Sequence, residues 1–249
     1  AVTVVPYHGD PLDALARRVI DDQGGRLPDL GGIQILVANG QCVPRLRSRL
    51  LRHAEAAGFP ALLGPGIHTW RGWAGQFQAP DHAVISPTAR ELTLVETLHQ
   101  HRDVFPHANP WALAESLLTL FDELTLHEVD IPADAAAFQR RLGQAYRLGE
   151  TAPQALNREA GLVHTLWRAW HAQLEAEELV DPDAAYLAGL QQGLAALPED
   201  AFVYVLGALD PAPAERAWLD RLLGDGRGAL FVHGQAGGPG RLHPAAPLG

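Results

Sequence analysis

Ile33-Gln34-Ile35-Leu36-Val37-Ala38-Asn39-Gly40-Gln41 is a mostly apolar run of strand length followed by a short polar exit loop. The run is too short for a buried helix, and its β-branched residues favour a strand. Val43, Leu46, Leu50 and Leu51 then recur at helical spacing, so a helix follows, with Arg45, Arg47, Arg49 and Arg52 largely on its other faces. The same strand-then-helix unit stands upstream. Val2–Pro6 is a β-branched run ending at a proline, and Tyr7-His8-Gly9-Asp10-Pro11 is a turn. Asp10 caps a helix whose first residue is Pro11, and Leu12, Leu15, Ala16, Val19 and Ile20 form its apolar face up to Gly24-Gly25. Downstream, Ala61–Leu63 and Ile67 mark a third, short extended piece before Thr69-Trp70-Arg71-Gly72-Trp73. Much later, Phe202–Leu206 and Ala229–His233 are strands on either side of a helix over Pro211–Leu223.

Between residues 88 and 197 the pattern is helical. Arg90–His101, Trp111–Leu126, Ala133–Leu148, Pro153–Leu179 and Pro182–Leu197 are the expected helices. In the fourth, Leu156, Val163, Trp167, Trp170 and Leu174 recur at steps of three and four, and the two tryptophans read as a helix-packing stripe. The order is β-α-β-α-β, a helical block, then β-α-β. Short apolar strands alternating with helices imply an α/β fold with a parallel sheet covered by helices on both faces. Residues 1–87 and 198–235 are expected to build that sheet domain. Residues 88–197 form an inserted all-helical lobe with no strand in it, and 236–249 a flexible tail rich in Gly, Pro and Ala.

Composition removes whole classes of chemistry. With 249 residues, 47% hydrophobic and 19% charged, the chain is too apolar and too weakly charged for disorder. No stretch approaches the length of apolar sequence that a membrane span requires, and no basic-then-apolar leader opens the chain, so neither a membrane nor a secretory role is expected. Cys42 is the single cysteine, which excludes an internal disulfide and a multi-cysteine metal site. All 19 basic residues are arginine. Without lysine the usual phosphate-binding P-loop and Schiff-base catalysis are both unavailable. Methionine is absent, so residue 1 is expected not to be the translated start. The net charge of -10 is uneven: residues 1–72 carry +2, residues 73–249 carry -12, and the stretch 36–72 alone carries +4. An acidic chain is not expected to bind a polyanion over its whole surface, but one basic face is compatible with this charge distribution.

The turns that would carry nucleotide chemistry lack it. The turn Pro6–Asp13 has one glycine, no lysine and two aspartates, Asp10 and Asp13, which would repel a polyphosphate. The strand Phe202–Leu206 would carry the acidic pair for Mg²⁺, but those positions are Leu206 and Gly207, and Asp210 comes too late and is expected to cap the Pro211 helix. His99, His101, His107 and His127 lack a metal-binding spacing. Ser48, Ser86 and Ser116 lie outside any nucleophile-elbow motif, and Cys42 reads as a small buried residue rather than a catalytic thiol.

Three segments resemble the first RecA-like (P-loop NTPase-like) domain of UvrD-type superfamily 1 helicases. Ile35–Gln41 followed by Leu46-Arg47 is similar to the strand and helix after that domain's first single-strand-contacting motif. Ile67–Ala74 is similar to the next motif, with Arg71 where a histidine usually stands. Leu179–Pro198 and Val203–Pro213 resemble the run into the Walker B strand, with Leu206-Gly207 in place of its Asp-Glu and with Asp210 and Pro213 matching the family's downstream Asp and Pro. The whole is most similar to the N-terminal helicase-like domain of AddB-type (RexB-like) proteins, subunits of helicase-nucleases that process DNA double-strand breaks. The phrases Leu12–Ala16, Leu63–Ile67 and Ala214–Ala217 are typical of that family. The resemblance implies a cytoplasmic, non-catalytic domain with no cofactor and no metal. It also implies single-stranded or end DNA and a catalytic partner subunit as partners, and leaves any nuclease domain to the rest of a longer protein. Asn39, Gln41, Arg45, Thr69, Trp70 and Arg71 are the expected DNA-binding residues. Polar groups and arginines there would meet phosphates, and Trp70 would stack on a base. The alternative is a protein-interaction scaffold that never touches DNA, which the overall acidity favours.

Overall fold

The structure is a computed structural model, and it describes residues 1–77, 83–100, 109–145, 154–207 and 211–234. The chain runs through β1 (Val2–Pro6), α1 (Pro11–Asp22), β2 (Ile33–Val37), α2 (Cys42–Ala56), β3 (Gly66–Thr69) and the short α3 (Trp70–Ala74). It continues through β4 (Ala83–Val84), α4 (Pro87–Gln100), α5 (Pro110–Leu126), α6 (Ala135–Ala145), α7 (Gln154–Ala176) and β5 (Leu179–Val180). α8 (Pro182–Ala196), β6 (Phe202–Leu206), α9 (Pro213–Gly224) and β7 (Gly228–Gly234) follow. Among the described residues no helix is long and apolar enough to cross a membrane. The chain divides into two compact units, one holding the described residues of 1–77 and 186–234, the other those of 83–185.

The first unit is built on a five-stranded sheet in the order β1-β7-β6-β2-β3, every pairing parallel. Parallel neighbours cannot be joined by a tight hairpin, so each strand is followed by a helix before the chain returns to the sheet. Alternation sends Ile33, Ile35 and Val37 of β2, Tyr204 and Leu206 of β6 and Phe231 of β7 to one face. There they pack on Leu15, Ala16 and Val19 of α1 and Leu46, Leu50 and Ala54 of α2. Each fully buried aliphatic side chain contributes about 1.5–3 kcal/mol. Leu36, Val203, Val205 and Leu230 alternate to the opposite face and are equally buried. α9 lies along β7, with Leu222 against the backbone of Gly228, and α3 packs on β2 and β3. The sheet is therefore parallel as expected, and β1, β7, β6 and β2, the four longer strand runs of the sequence, are contiguous in it.

The helices α4, α5 and α7 of the second unit share a core of Leu94, Leu98, Ala114, Leu117, Phe121, Trp170 and Leu174, with Ile85. Trp167 meets Phe121 edge-on at 5.2 Å, so the tryptophan stripe packs helices as expected. Two expectations need correction. The block is not all-helical: Leu179-Val180 leaves the α7 helix and pairs in parallel with Ala83-Val84. Glu178 takes a left-handed backbone (φ 54) that ends the helical path, and Asp181 then caps α8 by accepting from the Asp183 amide at 3.2 Å. The lobe also stops short of 197. From Tyr186 onward α8 belongs to the sheet unit, where the Tyr186 hydroxyl donates to the Glu215 carboxylate. Gly193 there lets α8 approach the rings of Trp73 and Phe77, where a Cβ would come within 2.7 Å of both.

Candidate nucleic-acid interface

All strands of the first unit point the same way, so the loops after them gather at one edge of the sheet. β2 and β3 are neighbours, and Val37 lies opposite Thr69. The loop carrying Asn39 and Gln41 therefore stands beside the segment carrying Thr69, Trp70 and Arg71. The structure brings these two groups of predicted residues together at one edge, with Arg45 in the first turn of α2.

Several of these side chains already have local work. Asn39 Oδ1 accepts from the Gln41 amide at 3.1 Å and lies 3.5 Å from the Cys42 thiol, shaping the turn into α2. Cys42 is only half-buried at that turn. Thr69 caps α3, its Oγ1 accepting from the Gly72 amide at 3.1 Å. Trp70 is half-buried and meets Trp218 edge-on at 5.2 Å, so it holds α3 to α9 rather than standing free for a base. The Arg71 guanidinium lies 4.6 Å above the Tyr186 ring. Gln41 and Arg45 are exposed.

The turn after β1 is closed on itself. The Gly9 amide donates to the Pro6 carbonyl at 2.8 Å, and Asp10 Oδ1 accepts from the amides of Leu12 at 3.0 Å and Asp13 at 3.3 Å. Asp10 caps α1 with Pro11 at its first position, as the sequence predicts. The expected bare pair of aspartates is not what stands there. Arg49 of α2 reaches Asp10 at 2.8 Å, and His53 Nε2 lies 3.0 Å from Asp13. Arg49, which also lies 4.0 Å from Asp13, and Arg17, 3.7 Å from Asp13, set positive charge against the pair, and the helix amides that would meet a phosphate are filled by the protein's own carboxylate. At the end of β6, Gly207 has φ 87 and donates to the Phe231 carbonyl at 3.0 Å. A side chain at that backbone is strained, which suits glycine and disfavours an acidic residue. The predicted cap Asp210 lies outside the described residues; α9 begins instead with Glu215 accepting from the Ala212 amide at 2.9 Å.

Electrostatics single out α2. Arg17, Arg18, Arg26, Arg49, Arg90, Arg140 and Arg141 all have carboxylate partners. Arg45, Arg47 and Arg52 are exposed and have none among the described residues. They lie within eight residues that hold no acid. On β3, burial and then the charge of Arg47 push the His68 imidazole below its usual range. Among the described residues no group of three or more His, Cys, Asp or Glu converges as metal ligands. Sequence reasoning missed Arg49 and His53 as the groups that hold the β1 turn, since both contacts join helices about 40 residues apart. It also took Arg45 alone from a helix whose Arg47 and Arg52 are equally free.

The chain matches no known protein family and no curated protein.

Proposed function

We propose that this chain is a RecA-like, helicase-like DNA-binding domain without ATP chemistry. It would act in the cytoplasm beside a catalytic partner subunit of a double-strand-break repair helicase-nuclease. One observation carries the reading. The register of Val37 against Thr69 places the loop of Asn39 and Gln41 beside the start of α3, next to the free Arg45, in a stretch, 36–72, that carries +4 within an acidic chain. Exposed amides and arginines on adjacent loops fit a phosphate backbone, which draws most contacts from such groups.

The test is anisotropy of a labelled single-stranded oligonucleotide between about 50 and 200 mM NaCl. Affinity should fall with salt, and Arg45→Glu should weaken binding and lower the log–log slope by about 0.7 or more. Binding without a salt slope, or unmoved by Arg45→Glu, would overturn the reading. A second reading, a protein-interaction scaffold with no DNA contact, is favoured by the -12 carried by residues 73–249. It predicts no DNA binding at any of these salt concentrations.

A further inference from the structure

Asn39 and Gly40 are both exposed, in the short passage from β2 into α2. Asn39 is the one asparagine of the chain followed by glycine. Of the other two, Asn109 precedes Pro110, which has no amide hydrogen, and Asn157 lies inside α7. The surroundings of the pair are those of a small acyl-transfer site. Asn39 Oδ1 accepts from the Gln41 amide at 3.1 Å and from the Cys42 thiol at 3.5 Å. Two donors on one carbonyl oxygen stabilise the charge it carries once its carbon is attacked. The attacking atom is next in the chain. The carbonyls of Asn39 and Gly40 are taken by the amides of Cys42 and Val43, at 3.3 and 3.2 Å, but the Gly40 amide donates to no group among the described residues. A Cβ at Gly40 would meet nothing within 4 Å, so the ring-closing motion is sterically open. The Asp225-Gly226 pair is the contrast, since its Gly226 amide is spent on the Leu223 carbonyl at 3.2 Å.

We propose that Asn39-Gly40 is a self-modifying site that turns this loop acidic. The Gly40 nitrogen gives its proton to water and bonds to Asn39 Cγ, and charge gathers on Oδ1, where the Gln41 amide and the Cys42 thiol meet it. The Cγ–Nδ2 bond then breaks, ammonia leaves, and a five-membered imide joins the two residues. Water adds to one of the two imide carbonyls and breaks its bond to the Gly40 nitrogen. Opening at Cγ leaves aspartate; opening at the main-chain carbonyl leaves isoaspartate, whose backbone runs through the side chain. One water is consumed and one ammonia released, with no oxidant and no second protein. Nucleophile and carbonyl on adjacent residues avoid the entropy cost of bringing two molecules together. Either product puts a carboxylate into the 36–72 stretch, which otherwise carries +4. Isoaspartate also lengthens the backbone at the turn that Asn39 shapes into α2. The consequence rests on the DNA-binding reading above: a carboxylate at residue 39 repels the phosphates that this loop would meet, so affinity falls as the protein ages.

The test incubates the whole chain in warm, mildly alkaline buffer beside a synthetic peptide of residues 27–45, and follows the Leu27–Arg45 tryptic peptide by mass spectrometry. Its mass should rise by about 1 Da, with electron-based fragmentation placing aspartate and isoaspartate at residue 39. The folded chain should react at least as fast as the synthetic peptide. Gly40→Ala, whose new methyl group faces open space, should fold as before and stay largely unmodified over the same interval. Reaction of the synthetic peptide alone, or equal reaction of Gly40→Ala, would overturn the site. The aged chain should bind a labelled single-stranded oligonucleotide about fivefold more weakly than the fresh chain, and fresh Asn39→Asp should be weakened by a similar factor. An aged chain converted at Asn39 with unchanged affinity would overturn the switch. A fresh chain without salt-dependent DNA binding would instead remove the reading on which the consequence rests, while the mass shift at Asn39 still decides the chemistry.

Discussion

Tyr204 shows how a single side chain ties the sheet to its covering helix. Its ring is fully buried on β6, and its hydroxyl donates to Asp22 at 3.2 Å and accepts from Gln23 at 3.1 Å, both at the end of α1. Burial first, and then the hydrogen bond and charge of Asp22, push the phenol up to about 12 against the opposing pull of the Gln23 hydrogen bond. A raised acid in the folded state means that folding favours the protonated form. Stability from this group is therefore complete below the unfolded phenol value near 10 and is lost as pH rises toward about 12. Urea unfolding of the unaltered chain should weaken across that interval, and Tyr204→Phe should flatten the fall while costing about 0.5–1.5 kcal/mol at neutral pH. An alkaline fall unaltered by Tyr204→Phe would place the titration elsewhere. The apolar position of Tyr204 was legible from the strand run, but its partners were not, because Asp22 and Gln23 lie some 180 residues away in sequence. Trp70 failed for the same reason. An aromatic after a strand reads as available for stacking, and only the fold brings Trp218 against it.

Among the elements, strands and helices with a single clear period were legible, and those at a change of period were not. β1, β2 and β6 span the residues their apolar runs mark, and β7 exceeds its run by one residue at each end. β5 was hidden because two apolar residues, Leu179-Val180, follow directly on α7 and are too few to read as a strand, and nothing in the sequence announces the left-handed backbone at Glu178. α8 was assigned whole to the lobe because a helix pattern does not say which core its far half joins. The turn from β1 into α1 has the opposite history. Its cap was read correctly, but its electrostatics were not, since the Arg49 guanidinium stands against both aspartates. The expected outcome for nucleotide is unchanged and its cause is different. The first amides of α1 are occupied by Asp10, no lysine exists in the chain, and the β6 exit is Gly207. Titration calorimetry should show no ATP binding with or without Mg²⁺, and Asp10→Ala should cost about 1 kcal/mol of stability as the cap is lost. Micromolar ATP affinity in the unaltered chain would show that the turn still opens for phosphate.

At the scale of the whole molecule, the two units are held by different physics. The sheet unit rests on apolar layers on both faces of β2, β6 and β7. The second unit adds a buried charge network. Arg90, 8% exposed, places Nη2 2.6 Å from Asp122 of α5 and Nε 3.0 Å from Asp181 at the β5–α8 junction. Asp181, 4% exposed, also accepts from the Trp170 indole at 3.3 Å. Burial works against the Arg90 charge, but the Asp122 and Asp181 carboxylates outweigh it and hold the guanidinium above its usual value. One arginine thus links α4, α5, α7 and the start of α8 across a core that is otherwise apolar. Such a network need not add net stability over apolar residues, yet removing one partner strands the others. Arg90→Ala leaves the Asp181 carboxylate buried without its cation, which costs about 3–5 kcal/mol. Because the network lies within residues 83–185, the loss should be local. Native-state hydrogen exchange of Arg90→Ala should show faster exchange in α4, α5 and α7, with the amides of β2, β6 and β7 keeping their protection. Equal loss across both sets of amides would mean that the chain opens as a single cooperative body, with the covalent passage through α8 coupling the two cores.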